Sequence, residues 1–178
     1  AREGKIRYYG CSNWKLSRLQ EANEYARSHG LHGFVCNQLM WSLAEINFDG
    51  LADKSFILMD KPTYRYHAET GLNVMAYMSV AKGYFPRRYQ GETLPSSVTD
   101  VYQNSANDQI YRLLSKACEA SDCTITDYTL RYFMEGHPFP AVPIASFDNS
   151  QQLREGMRSI DAGVDPEVMA QVTACKSF

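Results

Sequence analysis

The feature that most limits how this chain can fold is a rhythm. Short apolar runs alternate with stripes of helical spacing. "GFVCNQL" (33–39), "LNVMAYM" (72–78) and "AVPIAS" (141–146) have strand length and carry apolar residues on both faces. "WKLSRLQEANEYARSHG" (14–30) sets Leu16, Leu19, Ala22 and Ala26 three, three and four apart, one side of a helix. Gly30 supplies a C-terminal stop. "PTYRYHAETG" (62–71) opens on Pro62, which suits a first helical turn, and closes on Gly71. Helices are expected near 106–121, where Ile110, Leu113, Leu114 and Ala117 share a side, and near 125–135. Two more are expected over 149–160, capped by Asn149 or Ser150, and over 165–172, capped by Asp165 ahead of Pro166. "KIRYYGCSNW" (5–14) reads as an opening strand over 5–9 that ends in small hydrogen-bonding residues. The segment 79–105, with Gly83, Pro86, Gly91 and Pro95, reads mainly as loop. Strand–helix alternation implies a parallel sheet. Strands apolar on both faces need cover on both sides. The expected class is therefore α/β, one domain over 1–178, with ligands at the C-terminal ends of the strands.

Charge and cysteine usage remove several functions. A net charge of −2 offers no clustered cation for phosphate backbones, so no nucleic acid partner is expected. "PRRY" (86–89) reads as a solvated basic pair. No apolar run approaches the roughly 18 residues of a membrane helix, so no membrane partner is expected. The five cysteines are odd in number and lack C-x-x-C spacing, which points to neither a disulfide framework nor a zinc site. Free thiols suit a reducing, cytoplasmic setting. No metal is expected.

The strand ends hold amides, hydroxyls and one phenol: Ser12 and Asn13, Asn37 and Gln38, Tyr77, and Ser146. Paired amide donors and acceptors match a flat carboxamide or a base, and a tyrosine at a strand end can stack on a planar ring. Lys82 and Gly83 would let an ammonium and backbone N–H groups approach a diphosphate. Singly, each feature more often marks a turn or a wetted core residue; their order on successive strands is what points to one ligand.

"GKIRYYGCSNW", "VCNQLMWSL", "VMAYMSVAKGYF" and "PAVPIASFDNSQQLREGM", in this order, resemble the second half of the aldo/keto reductase family. The resemblance runs through essentially the whole chain. It implies a TIM-type (β/α)8 barrel of which this chain is the C-terminal half, strands five to eight, with the fifth beginning at residue 5. It implies a nicotinamide cofactor, NADP(H) by family habit or NAD(H). Ser12 and Asn13 would hold the carboxamide with help from Gln38, and Tyr77 would stack under the nicotinamide. Met78, Ser79, Lys82 and Gly83 would follow the diphosphate; Ser146, Asp148, Gln152 and Glu155 would surround the adenosine end. Trp14 and Trp41 lie where a substrate wall would form, and a buried core position is the equal reading for either. Three positions depart from the family pattern: Met78 replaces a serine, Gly156 replaces an asparagine, and Asp148 puts an anion where a ribose 2′-phosphate is usually met by cations or small polar groups.

The family's catalytic Asp, Tyr, Lys and His sit on the first four strands, so none is expected here and the chain alone is expected to be inactive. His29 and His32 flank a helix stop and read as surface positions; His67, beside Tyr64 and Tyr66, reads as packing. The function implied is NAD(P)H-dependent carbonyl reduction or alcohol oxidation of a small molecule, with this chain supplying mainly the cofactor half. The alternative is a non-catalytic cofactor-sensing regulatory or structural protein of the same fold. Four strands of a barrel leave two edges and an inner face uncovered. The missing N-terminal half or a second copy is therefore the expected partner.

Overall fold

The computed structural model describes residues 1–177. Strands β1 (Cys11–Ser12), β2 (Cys36–Met40), β3 (Asn73–Tyr77) and β4 (Ala141–Pro143) lie side by side in chain order. All three pairings are parallel. Parallel neighbours require crossovers. These are α1 (Leu16–Ser28), then α2 (Lys61–Thr70), then the run α3 (Tyr84–Tyr89), α4 (Ser96–Tyr102), α5 (Ser105–Glu119) and α6 (Ile125–Arg131). Helices α7 (Ser150–Arg158) and α8 (Pro166–Ala174) follow β4. Local chemistry sets the ends: Asn149 accepts from the backbone N–H groups of Gln151 and Gln152, Asp165 accepts from that of Glu167, and Gly71 closes α2 at φ +67°.

Register decides which side chains meet the helices. Asn37, Leu39, Val74 and Ala76 face them and are buried. The row Ser12, Gln38, Met75 and Val142 points the other way. There Met75 is 37% and Val142 50% exposed, and Ile144 is exposed beyond them. Cover was expected on both sides; the helices of this chain provide it on one.

Two expectations about elements are corrected. Residues 5–9 form no strand: Ile6 and Tyr8 are exposed, and the first ladder begins only at Cys11. The segment 79–105 is largely helical rather than loop. Pro86 sits in the first turn of α3 and Pro95 is the N-cap of α4. At those positions the missing N–H costs nothing, so the prolines start helices instead of breaking them.

His67 shows how α2 is fixed to the sheet. It is fully buried; Nδ1 lies 2.7 Å from the Leu72 carbonyl and Nε2 3.2 Å from the Asn37 amide nitrogen. Nδ1–H therefore donates to the carbonyl and Nε2 accepts from Asn37, which defines a neutral imidazole. Burial holds its pKa below the usual histidine value. Asn37 in turn accepts from the Cys11 thiol, so this strand-end amide serves packing and not a ligand.

Candidate functional site

The end of β1, the middle of β2 and the end of β3 meet at one residue. Asn13 has left-handed backbone, φ +61°, which Asn tolerates better than most side chains. Its Oδ1 accepts from the Ile57 N–H at 2.7 Å and from the Tyr77 hydroxyl at 2.9 Å. Its Nδ2 donates to the Ser55 carbonyl at 3.0 Å. Ser12 Oγ donates to Gln38 Oε1 at 2.9 Å, and the Asn13 N–H donates to the Gln38 carbonyl at 2.8 Å. Ser12, Asn13, Gln38 and Tyr77 thus form one hydrogen-bonded set, with 53–57 tied across it. Burial, aided by Asp53, pushes the Tyr77 phenol up to about 12. At neutral pH it is a protonated donor and a flat surface, not a proton-transfer group.

Beyond Tyr77 the backbone takes four more left-handed residues: Met78, Ala81, Lys82 and Gly83. Three of these carry side chains, and such strain concentrates at functional sites. The turn opens onto a cleft of about 660 Å³ bounded by α6, the loop after β4 and α7. Of the eight residues expected around a diphosphate and adenosine, six line it: Lys82, Gly83, Ser146, Asp148, Gln152 and Glu155. The Asp148 N–H donates to Gln152 Oε1 at 2.8 Å, which folds the loop onto α7. Arg87 and Phe147 line the cleft as well. Phe147 went unassigned from the sequence, yet a signal existed: Gly156 lies inside a helix, where glycine marks close approach. A Cβ at 156 would run into the Phe147 ring.

The remaining expected residues lie elsewhere. Ser79 is buried and its Oγ donates to the Ile144 carbonyl at 2.7 Å, stitching the turn to the end of β4. Met78 packs against the core. The two tryptophans expected at a substrate wall stand in different surroundings. Trp41 is buried among Tyr64, Tyr132, Phe133, His137 and Phe139, because it follows β2 on the helix-covered side. Trp14 rests between Phe34 and the Arg18 guanidinium.

The strand-end set holds amide, hydroxyl and phenol groups. The cleft, within the usual size of a ligand site, is lined by both charges and an aromatic ring. The described lining residues contain no histidine or cysteine.

The sequence pattern of the Aldo/keto reductase family matches residues 1–177. Norsolorinic acid reductase B of Dothistroma septosporum is 22% identical, the match taking in 98% of this chain and 42% of that protein. Norsolorinic acid reductase B of Aspergillus parasiticus is 24% identical over 96% of this chain and 41% of its own length. The chain therefore spans about two-fifths of the curated relatives it matches. Among solved structures, the thermostable aldo-keto reductase Tm1743, crystallised with the inhibitor epalrestat, superposes with a TM-score of 0.63 at 18% identity, over 98% of this chain and 50% of its own. At that identity the likeness speaks to the fold, which is an α/β fold with a parallel sheet as in that enzyme. With a family pattern that runs from residue 1 to residue 177, the chain belongs to the aldo/keto reductase family.

Proposed function

We propose that this chain supplies the cofactor-binding half of an NAD(P)H-dependent reductase acting on a small-molecule carbonyl, in a cytoplasmic protein. Among the described residues no helix is long and apolar enough to cross a membrane. The observation that carries the reading is the convergence of Ser12, Asn13, Gln38 and Tyr77 on one point across three adjacent strands. From that point the 77–83 backbone leads directly into the cleft. The relatives are named as reductases, which favours reduction over oxidation as the direction.

A bound nicotinamide dinucleotide would supply the hydride. The chain's own residues bind and orient it. To admit a carboxamide, Asn13 exchanges its bonds to 55–57 for bonds to the ligand. Gln38 and Ser12 are adjacent donors and acceptors, and the Tyr77 ring is the stacking surface. Asn13→Ala is expected to weaken NADH binding about tenfold, the worth of a hydrogen bond to a polar ligand group. Titration followed by NADH fluorescence measures this. An unchanged affinity would remove Asn13 from the site.

The uncovered sheet face calls for a partner. Met75, Val142 and Ile144 form an apolar row on a face that helices do not reach, and in a closed barrel such rows are packed in layers. The proposed cover is more strands of the same protein, or a second copy. Sedimentation of residues 1–178 should show self-association or aggregation; a stable monomer with cooperative unfolding would count against this.

A further inference from the structure

We propose that the cleft beside α7 receives an adenosine whose ribose carries a free 2′-hydroxyl, its base stacked on Phe147 and its ribose held by Asp148. The protein then selects NAD(H) over NADP(H). The inference rests on the dinucleotide reading above and adds to it which of the two cofactors is taken and which residues decide.

Phe147 is half-buried and lines the cleft. Its ring is seated against Gly156, which is buried, and no other residue type leaves room for it there. A ring supported on the helix backbone and bordering a cavity is a ready stacking surface for a purine. Asp148 is the next residue. Its N–H is used by Gln152, whereas its exposed carboxylate receives no hydrogen bond from the described residues. A carboxylate beside a stacked nucleoside can accept from a ribose hydroxyl, and it repels a phosphate at the same carbon.

The surrounding charge acts in the same direction. The two cations of the cleft are already engaged. Arg87 Nε pairs with Glu92 at 2.8 Å, and Lys82 Nζ donates to the Ser97 carbonyl at 3.3 Å. Glu92, Asp148 and Glu155 set three negative charges against these two positive ones. From Ile144 to Leu153 there is no lysine or arginine to offset a further dianion.

The test is parallel titration of the protein with NADH and NADPH, as wild type, Asp148→Asn and Phe147→Leu. Leucine keeps bulk over Gly156 while deleting the aromatic face, and Asp148 is exposed, so neither change threatens the fold. Expected is NADH binding at least tenfold tighter than NADPH in the wild type. Asp148→Asn should narrow that ratio at least fivefold. Phe147→Leu should weaken both cofactors alike, by about tenfold, the usual worth of a base–aromatic stack. Equal or tighter NADPH binding, an unchanged ratio in Asp148→Asn, or undiminished affinity in Phe147→Leu would overturn the inference while leaving the dinucleotide reading intact. Failure of both cofactors to bind would overturn both.

Discussion

Asp127→Ala is expected to lower stability by about 3 kcal/mol, the sum of the lost N3 half of a capping box and of charge-assisted hydrogen bonds. The Asp127 carboxylate is almost wholly buried. Oδ2 accepts from the Thr124 N–H at 2.7 Å, the Thr124 hydroxyl at 2.8 Å and Arg158 Nη2 at 2.7 Å. Oδ1 accepts from Ser159 Oγ at 2.7 Å. With Thr124 it forms a capping box at the start of α6. Through Arg158 and Ser159 it also ties α6 to the C-terminal end of α7. Alanine leaves the Thr124 N–H without its acceptor, while Arg158, half-exposed, turns to water. For a domain of this size the midpoint of thermal unfolding should fall by roughly 6–12 °C, read by circular dichroism. Helix α7 carries Gln152, Glu155 and Gly156, so NADH affinity should fall as well. A shift below about 2 °C would mean that the two helices are held together by other contacts.

Glu45→Gln is expected to cost a similar amount, about 3 kcal/mol, because it removes one partner of a buried ion pair. Lys176 Nζ, 3% exposed, lies 2.8 Å from Glu45 Oε1 and donates to the carbonyls of Ser42 and Ala44 at 3.1 and 3.2 Å. Ser177 adds two bonds to the same carboxylate. The pair clamps the segment after α8 onto the turn that follows β2. Burial pushes the Glu45 carboxyl up, and the Lys176 ammonium with Ser177 more than offsets this, so it titrates below its ordinary value. A folded-state pKa lower than the unfolded one gives stability that is present above the unfolded value and lost as pH falls through the folded one. The gap between wild type and Glu45→Gln should therefore be constant from neutral pH down to about 5 and begin to close once pH falls below the ordinary glutamate value of about 4.3. Urea unfolding across that range checks it; a gap that widens in acid would reverse the assigned sign.

Much of the fold was legible because its signals are local. The apolar runs containing β2 and β3 were read to within a few residues, since a strand buried under helices must be apolar whatever its partners. Asn149, Asp165 and Gly71 were legible as helix ends for the same reason: each acts on backbone within three residues of itself. Residues 5–9 and the prolines of 79–105 misled because their meaning depends on what lies opposite. A strand needs a neighbour, and a proline starts or stops a helix according to its position in the turn. Among candidate site residues, Ser12, Asn13, Gln38 and Tyr77 were singled out by their order along successive strands, and the structure joins them in one hydrogen-bonded set. The tether of Asn13 to Ser55 and Ile57 was not, because it joins residues more than forty apart with no shared pattern. Trp41 shows the converse. Its place after a strand left a cavity wall and a core position equally open, and the surrounding aromatic side chains decide for the core.

The central claim is that one dinucleotide lies along the strand ends from Asn13 to Glu155. A crystal structure of the protein with NADH tests it most directly. The nicotinamide should sit against Tyr77 with its carboxamide on Asn13 and Gln38, and the adenine on Phe147. A cofactor bound elsewhere, with Asn13 still bonded to Ser55 and Ile57, would contradict it.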